Sequence, residues 1–158
     1  MDPDQSATDA QLRAFAHPMR QRIWREVGRD GATVSQLTHR LATNKGNVAH
    51  HVKVLVAAGL LAPGRTRTVR GGTEQYYVTT ARRIRLGTGA GAARRAMFAV
   101  VADEVEAARD PLLNHRTIRL TRAQAEALAR HLDRVVTELE PASDRETSYG
   151  VLVSVYPR

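Results

Sequence analysis

The chain contains no cysteine. Disulfides, thiolate zinc sites and a cysteine nucleophile are therefore excluded, and a reducing cytoplasmic setting fits the composition. Long apolar runs are also missing: nothing approaches the roughly 18 consecutive apolar residues of a candidate membrane span. The first residues, "MDPDQSATDAQ", are acidic and polar, unlike the basic-then-apolar start of a secretory signal. Lysine is scarce, at 2 residues against 22 arginines. That bias fits a GC-rich bacterial genome, so the arginines are not by themselves marked as phosphate-seeking. No Ser-His-Asp order, phosphate loop or HExxH motif is present, which argues against an enzyme.

What is present is a 158-residue chain with 42% apolar and 25% charged residues, the profile of a soluble globular protein. The length allows one ordinary domain or two small ones. The net charge of +8 is unevenly placed. Residues 1–86 hold 14 Lys/Arg and 6 Asp/Glu, whereas residues 87–158 hold 10 of each. The whole surplus lies in the first half, which points to a polyanionic partner there; plain solubilising charge is the alternative.

Periodicity predicts a first helix over 8–16 and a second beginning in "HPMRQRIWREVGRDG", with Pro18 in its first turn. A short third helix lies in "TVSQLTHRLA", where Thr33 and Gln36 have capping-box spacing and Val34, Leu37 and Leu41 form the inner stripe. Asn44 is placed to cap a fourth helix. On that helix Val48, Val52 and Leu55 fall on one side, with Gly46, His50 and Lys53 opposite and Asn47 and Ala49 flanking them. Gly59 is a left-handed stop, with Leu60 folding back. Two extended runs around Gly71-Gly72 predict a hairpin carrying Arg65, Arg67 and Arg70.

The second half opens with a glycine-containing connector. A helix over 92–108 follows, with Ala93, Met97, Val100, Val101, Val105 and Ala108 on one side. "HRTIRL" reads as a strand. "TRAQAEALARHLDRVVTELE" reads as an amphipathic helix capped by Thr121 and Gln124, with Leu128, Leu132, Val135, Val136 and Leu139 on its apolar side. "SYGVLVSVY" reads as a last strand. The expected fold is α+β and mainly α. A winged helix-turn-helix at 1–86 is followed at 87–158 by a dimerisation helix and a small β-α-β element.

In such an arrangement the third helix props the fourth, whose outer face enters a major groove. The groove displays a base-specific donor and acceptor pattern, and wing arginines reach phosphates or the minor groove. "FAHPMRQRIWREV", "TVSQLTHRLATNKGNVAHHVKVLVAAGLL" and "YYVTT" resemble the ArsR-like family of bacterial repressors over about 12–80. That family usually has Ser where this chain has Ala49, and Leu where it has Val52. The resemblance implies a homodimer that represses from an imperfect palindrome near a promoter. Many relatives sense metals through Cys-x-Cys in the third helix, where this chain has "LTHRLA". Others use His and carboxylates on the C-terminal dimer helix. Here 92–108 offers Asp103, Glu104 and Glu106 but no His, so a family-type metal site is rejected and no cofactor is expected.

The candidate DNA-contacting residues are Ser35, Lys45, Gly46, Asn47, Ala49, His50, Lys53, Arg65, Arg67 and Arg70. Lys45, Gly46 and Asn47 stand at a helix N-terminus, where backbone N–H groups favour phosphate. Asn47 can pair with an adenine edge. Ser35 has a cap or a phosphate role, and Lys53 a phosphate role. His50 and His51 point about 100° apart, so joint chelation is disfavoured. A structural hydrogen bond suits His51, and core or edge positions suit Tyr76 and Tyr77. Asp103, Glu104 and Glu106 read as a wet edge. The expected partners are double-stranded DNA and a second copy. The alternatives are a sensor whose C-terminal region binds a small-molecule effector, and a winged-helix protein-interaction module.

Overall fold

The computed structural model describes residues 7–28, 30–81, 84–87, 89–140, 142–143 and 146–158. Its elements run α1 (Asp9–Phe15), α2 (Pro18–Val27), β1 (Ala32–Thr33), α3 (Val34–Arg40), α4 (Lys45–Ala57), β2 (Leu61–Val69), β3 (Gly72–Thr79), α5 (Gly91–Ala107) and α6 (Arg122–Thr137). The architecture is mixed α+β and mainly helical, with an antiparallel sheet of order β1-β3-β2. None of the described helices is long and apolar enough to cross a membrane.

Local chemistry sets the helix starts. Thr8 with Gln11 and Thr33 with Gln36 form capping boxes at α1 and α3. The Asn44 side chain accepts from the Asn47 N–H at 2.8 Å and starts α4. Each of these caps satisfies a donor that a helix start leaves orphaned. At α2 the cap is His17, whose Nδ1 accepts from the Met19 N–H at 3.1 Å, immediately before Pro18. Gly59 ends α4 at φ 68°, and the Leu60 N–H returns to the Leu55 carbonyl. Gly31, at φ 77°, leads into β1; a Cβ there would stand 2.7 Å from the Tyr77 carbonyl oxygen, so only glycine fits.

Residues 1–108 and 109–158 form two separate compact units. The core of the first unit gathers Phe15, Ile23, Val27, Leu37, Val48, Val52, Leu55, Leu60, Leu61 and Ala93. It is built by the inner faces of α1 to α5 and the start of β2. The expected stripe of α4 is buried, and Leu37 is the buried residue of α3. Helix α5 packs on α1 and α2 through Ala93, Ala96 and Val100. Gln21 is the joint: its buried amide donates to the carbonyls of Phe15 at 2.7 Å and Ala93 at 2.8 Å. Asp103 pairs with Arg22, and Glu104 with Arg25 at 2.8 and 2.7 Å through its two oxygens. These two carboxylates are exposed, as a wet edge requires, and also link α5 to α2. Their partners lie about eighty positions upstream, out of reach of helix periodicity.

The hairpin register pairs Val69 with Gly72 across the turn at Arg70 and Gly71. One extra residue lies in β2 between Pro63 and Thr66, a bulge that re-aims the side chains beyond it. Strand β1, only two residues long, carries too little pattern to be read in advance.

In the second unit α6 forms behind its Thr121–Gln124 capping box, yet none of its residues is buried. The segments on either side, expected as strands of a β-α-β element, pair into no ladder among the described residues. They meet through side chains: His115 Nε2 lies 3.2 Å from Tyr156 Oη, and Arg158 donates to Thr117 Oγ1 at 3.2 Å. Alternation supplies strand propensity, but a ladder also needs an apolar face packed against something.

Candidate nucleic-acid interface

The turn between α3 and α4 orients the outer face of α4. The Thr43 N–H reaches the Thr38 carbonyl at 3.2 Å, and Ala42 turns the chain at φ 47°. With Val48, Val52 and Leu55 anchored inside, the other side of α4 is left outside. Lys45, Gly46, His50 and Lys53 are exposed, whereas Asn47 and Ala49 are half-buried. Asn47 donates from Nδ2 to Thr43 Oγ1 at 3.3 Å, so its amide is positioned within the turn. No acidic residue occupies the first turn of α4. The free N–H groups and positive helix end there, joined by Lys45, favour an anion.

The wing meets this face through Glu74, a residue the sequence did not single out. Its carboxylate takes the Arg67 guanidinium at 2.9 Å. The Ser35 hydroxyl first, then Arg67, hold its carboxyl below the usual carboxylate range, with Lys45 adding a smaller attraction. Arg67 on β2 thus pairs with this carboxylate, and Ser35 at the start of α3 and Lys45 at the start of α4 favour its charged form. The bulge presents Arg65 over the Tyr76 ring at 4.5 Å, and Arg67 stands 5.9 Å from the same ring. Tyr76 is buried and Tyr77 half-buried, so both serve the wing. Arg70 is exposed at the tip, apart from this cluster.

A second grouping ties α4 to α2. The His17 and His51 rings lie 4.6 Å apart, and those of His50 and His51 5.3 Å. His51 is buried, but its Nδ1 has no hydrogen-bond partner among the described residues. The hydrogen bond expected there is replaced by ring packing. Burial lowers the pKa of both His17 and His51; Arg20 and His50 push both the same way, and His17 adds to this for His51. His17 and Glu74 escaped sequence reading because each acts on a residue more than thirty positions away.

A family model described as a helix-turn-helix domain matches residues 15–63, from the end of α1 into β2. The first unit thus carries a helix-turn-helix domain with a hairpin wing, which supports DNA as its partner. No curated protein matches the chain.

Proposed function

We propose that the chain is a dimeric, sequence-specific transcriptional repressor of ArsR-like type, acting in the cytoplasm without catalysis on an imperfect palindrome near a promoter. The observation that carries this reading is the outward face of α4, where Gly46 and His50 are exposed beside an anion-favouring helix start. Asn47 and His50 read base edges. Lys45, Lys53, Ser35 and the wing arginines hold phosphates. Ala49, lacking a hydroxyl, contributes close approach rather than a hydrogen bond. Two such helices enter successive major grooves about 34 Å apart. Glu74 gathers Ser35 and Arg67 while DNA is absent and yields them to a phosphate when it arrives.

Fluorescence anisotropy with fragments selected from the source genome tests the reading. Affinity for the selected site should fall by roughly 10³-fold between 50 and 200 mM salt. Asn47→Ala with His50→Ala should erase the preference over random DNA while leaving salt-dependent binding. Retained preference, or a flat salt response, contradicts the proposal. Glu74→Gln should raise affinity for random DNA about two- to fivefold by releasing the arginine.

A further inference from the structure

Three histidines meet where α2 joins α4. His17 stands at the start of α2, with its Nδ1 accepting the Met19 N–H at 3.1 Å. That bond requires a ring without a proton on Nδ1, so His17 caps α2 only while neutral. Its ring lies 4.6 Å from that of His51 on α4. His51 is 7% exposed, and its Nδ1 is buried with no partner among the described residues. The third ring, His50, stands edge-on at 5.3 Å from His51 and is exposed on the outer face of α4. The groups that act on the buried pair are cationic when charged. Arg20 acts on both rings from α2, and His50 acts on both from α4. Arg20 is held against α1, donating to the carbonyls of Ala14 and, at 3.2 Å, of Arg13. The acidic residue of α1, Asp9, lies in its first turn, at the end away from Ala14. The carboxylates at the other contacts of α2 are engaged with arginines: Asp103 with Arg22, Glu104 with Arg25, Glu26 with Arg40 and Glu74 with Arg67.

We infer that these rings form an acid-sensitive joint that sets how α4 is held on α2, and that proton uptake there removes promoter preference while the fold persists. This regulation rests on α4 being the base-reading helix. Protonated His17 carries N–H groups on both nitrogens and turns a donor against the Met19 N–H, so the start of α2 loses its cap. Protonated His51 has a buried N–H without an acceptor, and a charge beside Arg20. The rings then part, and His50, packed on His51, moves with them. Burial makes both His17 and His51 harder to protonate than an ordinary histidine, so the change falls below pH of about 6.5. Simple charge attraction has the opposite sign, since added positive charge tightens binding to any DNA. The joint therefore separates preference from affinity: acid lowers the first while binding to random sequence holds or rises.

The full chain tests this by fluorescence anisotropy at fixed ionic strength, with the selected fragment and with random DNA. From pH 7.5 to 5.5 the ratio of the two affinities should fall about tenfold. His17→Asn, whose amide oxygen still caps α2 but does not titrate, should reduce that fall to about twofold or less. Trp24, the only tryptophan, lies on α2 and packs edge-on against Phe15 at 5.6 Å. Its emission should show a step below pH of about 6.5 that is smaller in His17→Asn. A constant ratio in the parent chain, an equal fall in His17→Asn, or global unfolding by circular dichroism at pH 5.5 would overturn the inference. A chain with no promoter preference at pH 7.5 sinks the DNA reading alone. The Trp24 step, if missing or equal in the two proteins, would then overturn the joint.

Discussion

The two units obey the same local rules and reach opposite outcomes. Both α3 and α6 begin with a Thr-x-x-Gln capping box. Yet α3 buries Leu37 completely, whereas the longer α6 buries none of its residues. Capping and propensity form a helix; they do not supply the surface against which it packs. In the first unit five helices and a hairpin turn their apolar sides toward one another. In the second, a single helix with two flanks that form no ladder among the described residues has none of its residues buried.

Four tests sharpen that contrast. The largest effect belongs to Leu55→Ala, which should cost the first unit about 2–5 kcal/mol in urea unfolding through lost burial and a cavity. Leu139→Ala, measured at low protein concentration, should cost under about 1 kcal/mol because its side chain is already largely wet. Comparable losses would mean that the second unit has a core of its own. Next comes Gln21→Leu, which strips two buried carbonyls of their shared donor and should cost about 1–3 kcal/mol. The measurement is the urea midpoint, accompanied by faster hydrogen exchange at the α2–α5 contact.

Acid should weaken the first unit as well. The fold holds His17 and His51 below the ordinary histidine pKa, so the unfolded chain binds protons more readily. Their stabilising contribution is complete above pH of about 6.5 and is lost as pH falls below it. Thermal melting at pH 7.5 and 5.5 should show the drop, and His51→Gln should flatten it. The smallest effect compares the two matched caps. Thr33→Ala should lower global stability by about 1 kcal/mol. Thr121→Ala should reduce helicity in α6 without moving the unfolding midpoint of the first unit.

Much of the first unit was legible because its signals are local. Thr33 with Gln36, Asn44, the Val48-Val52-Leu55 stripe and Gly59 each constrain neighbours within a few positions; the hairpin, expected around Gly71-Gly72, turns one position earlier, at Arg70 and Gly71. The exposed placement of Gly46 and His50 follows from that stripe alone. The missed features are all long-range. Glu74 gathers Ser35 and Arg67 from two other elements, His17 packs on His51, and Asp103 and Glu104 clamp Arg22 and Arg25. No periodicity within one helix or strand carries that information.

The sequence by itself determined where helices begin and end, which side of each is apolar, and that the positive charge is concentrated in residues 1–86. These follow from backbone hydrogen bonding, side-chain shape and simple counting. Only the tertiary structure decided which cation finds which carboxylate, that Glu74 pairs with Arg67 of the wing, and that no residue of α6 is buried. Pairing and burial depend on what the chain brings together from distant positions, and that is settled by packing.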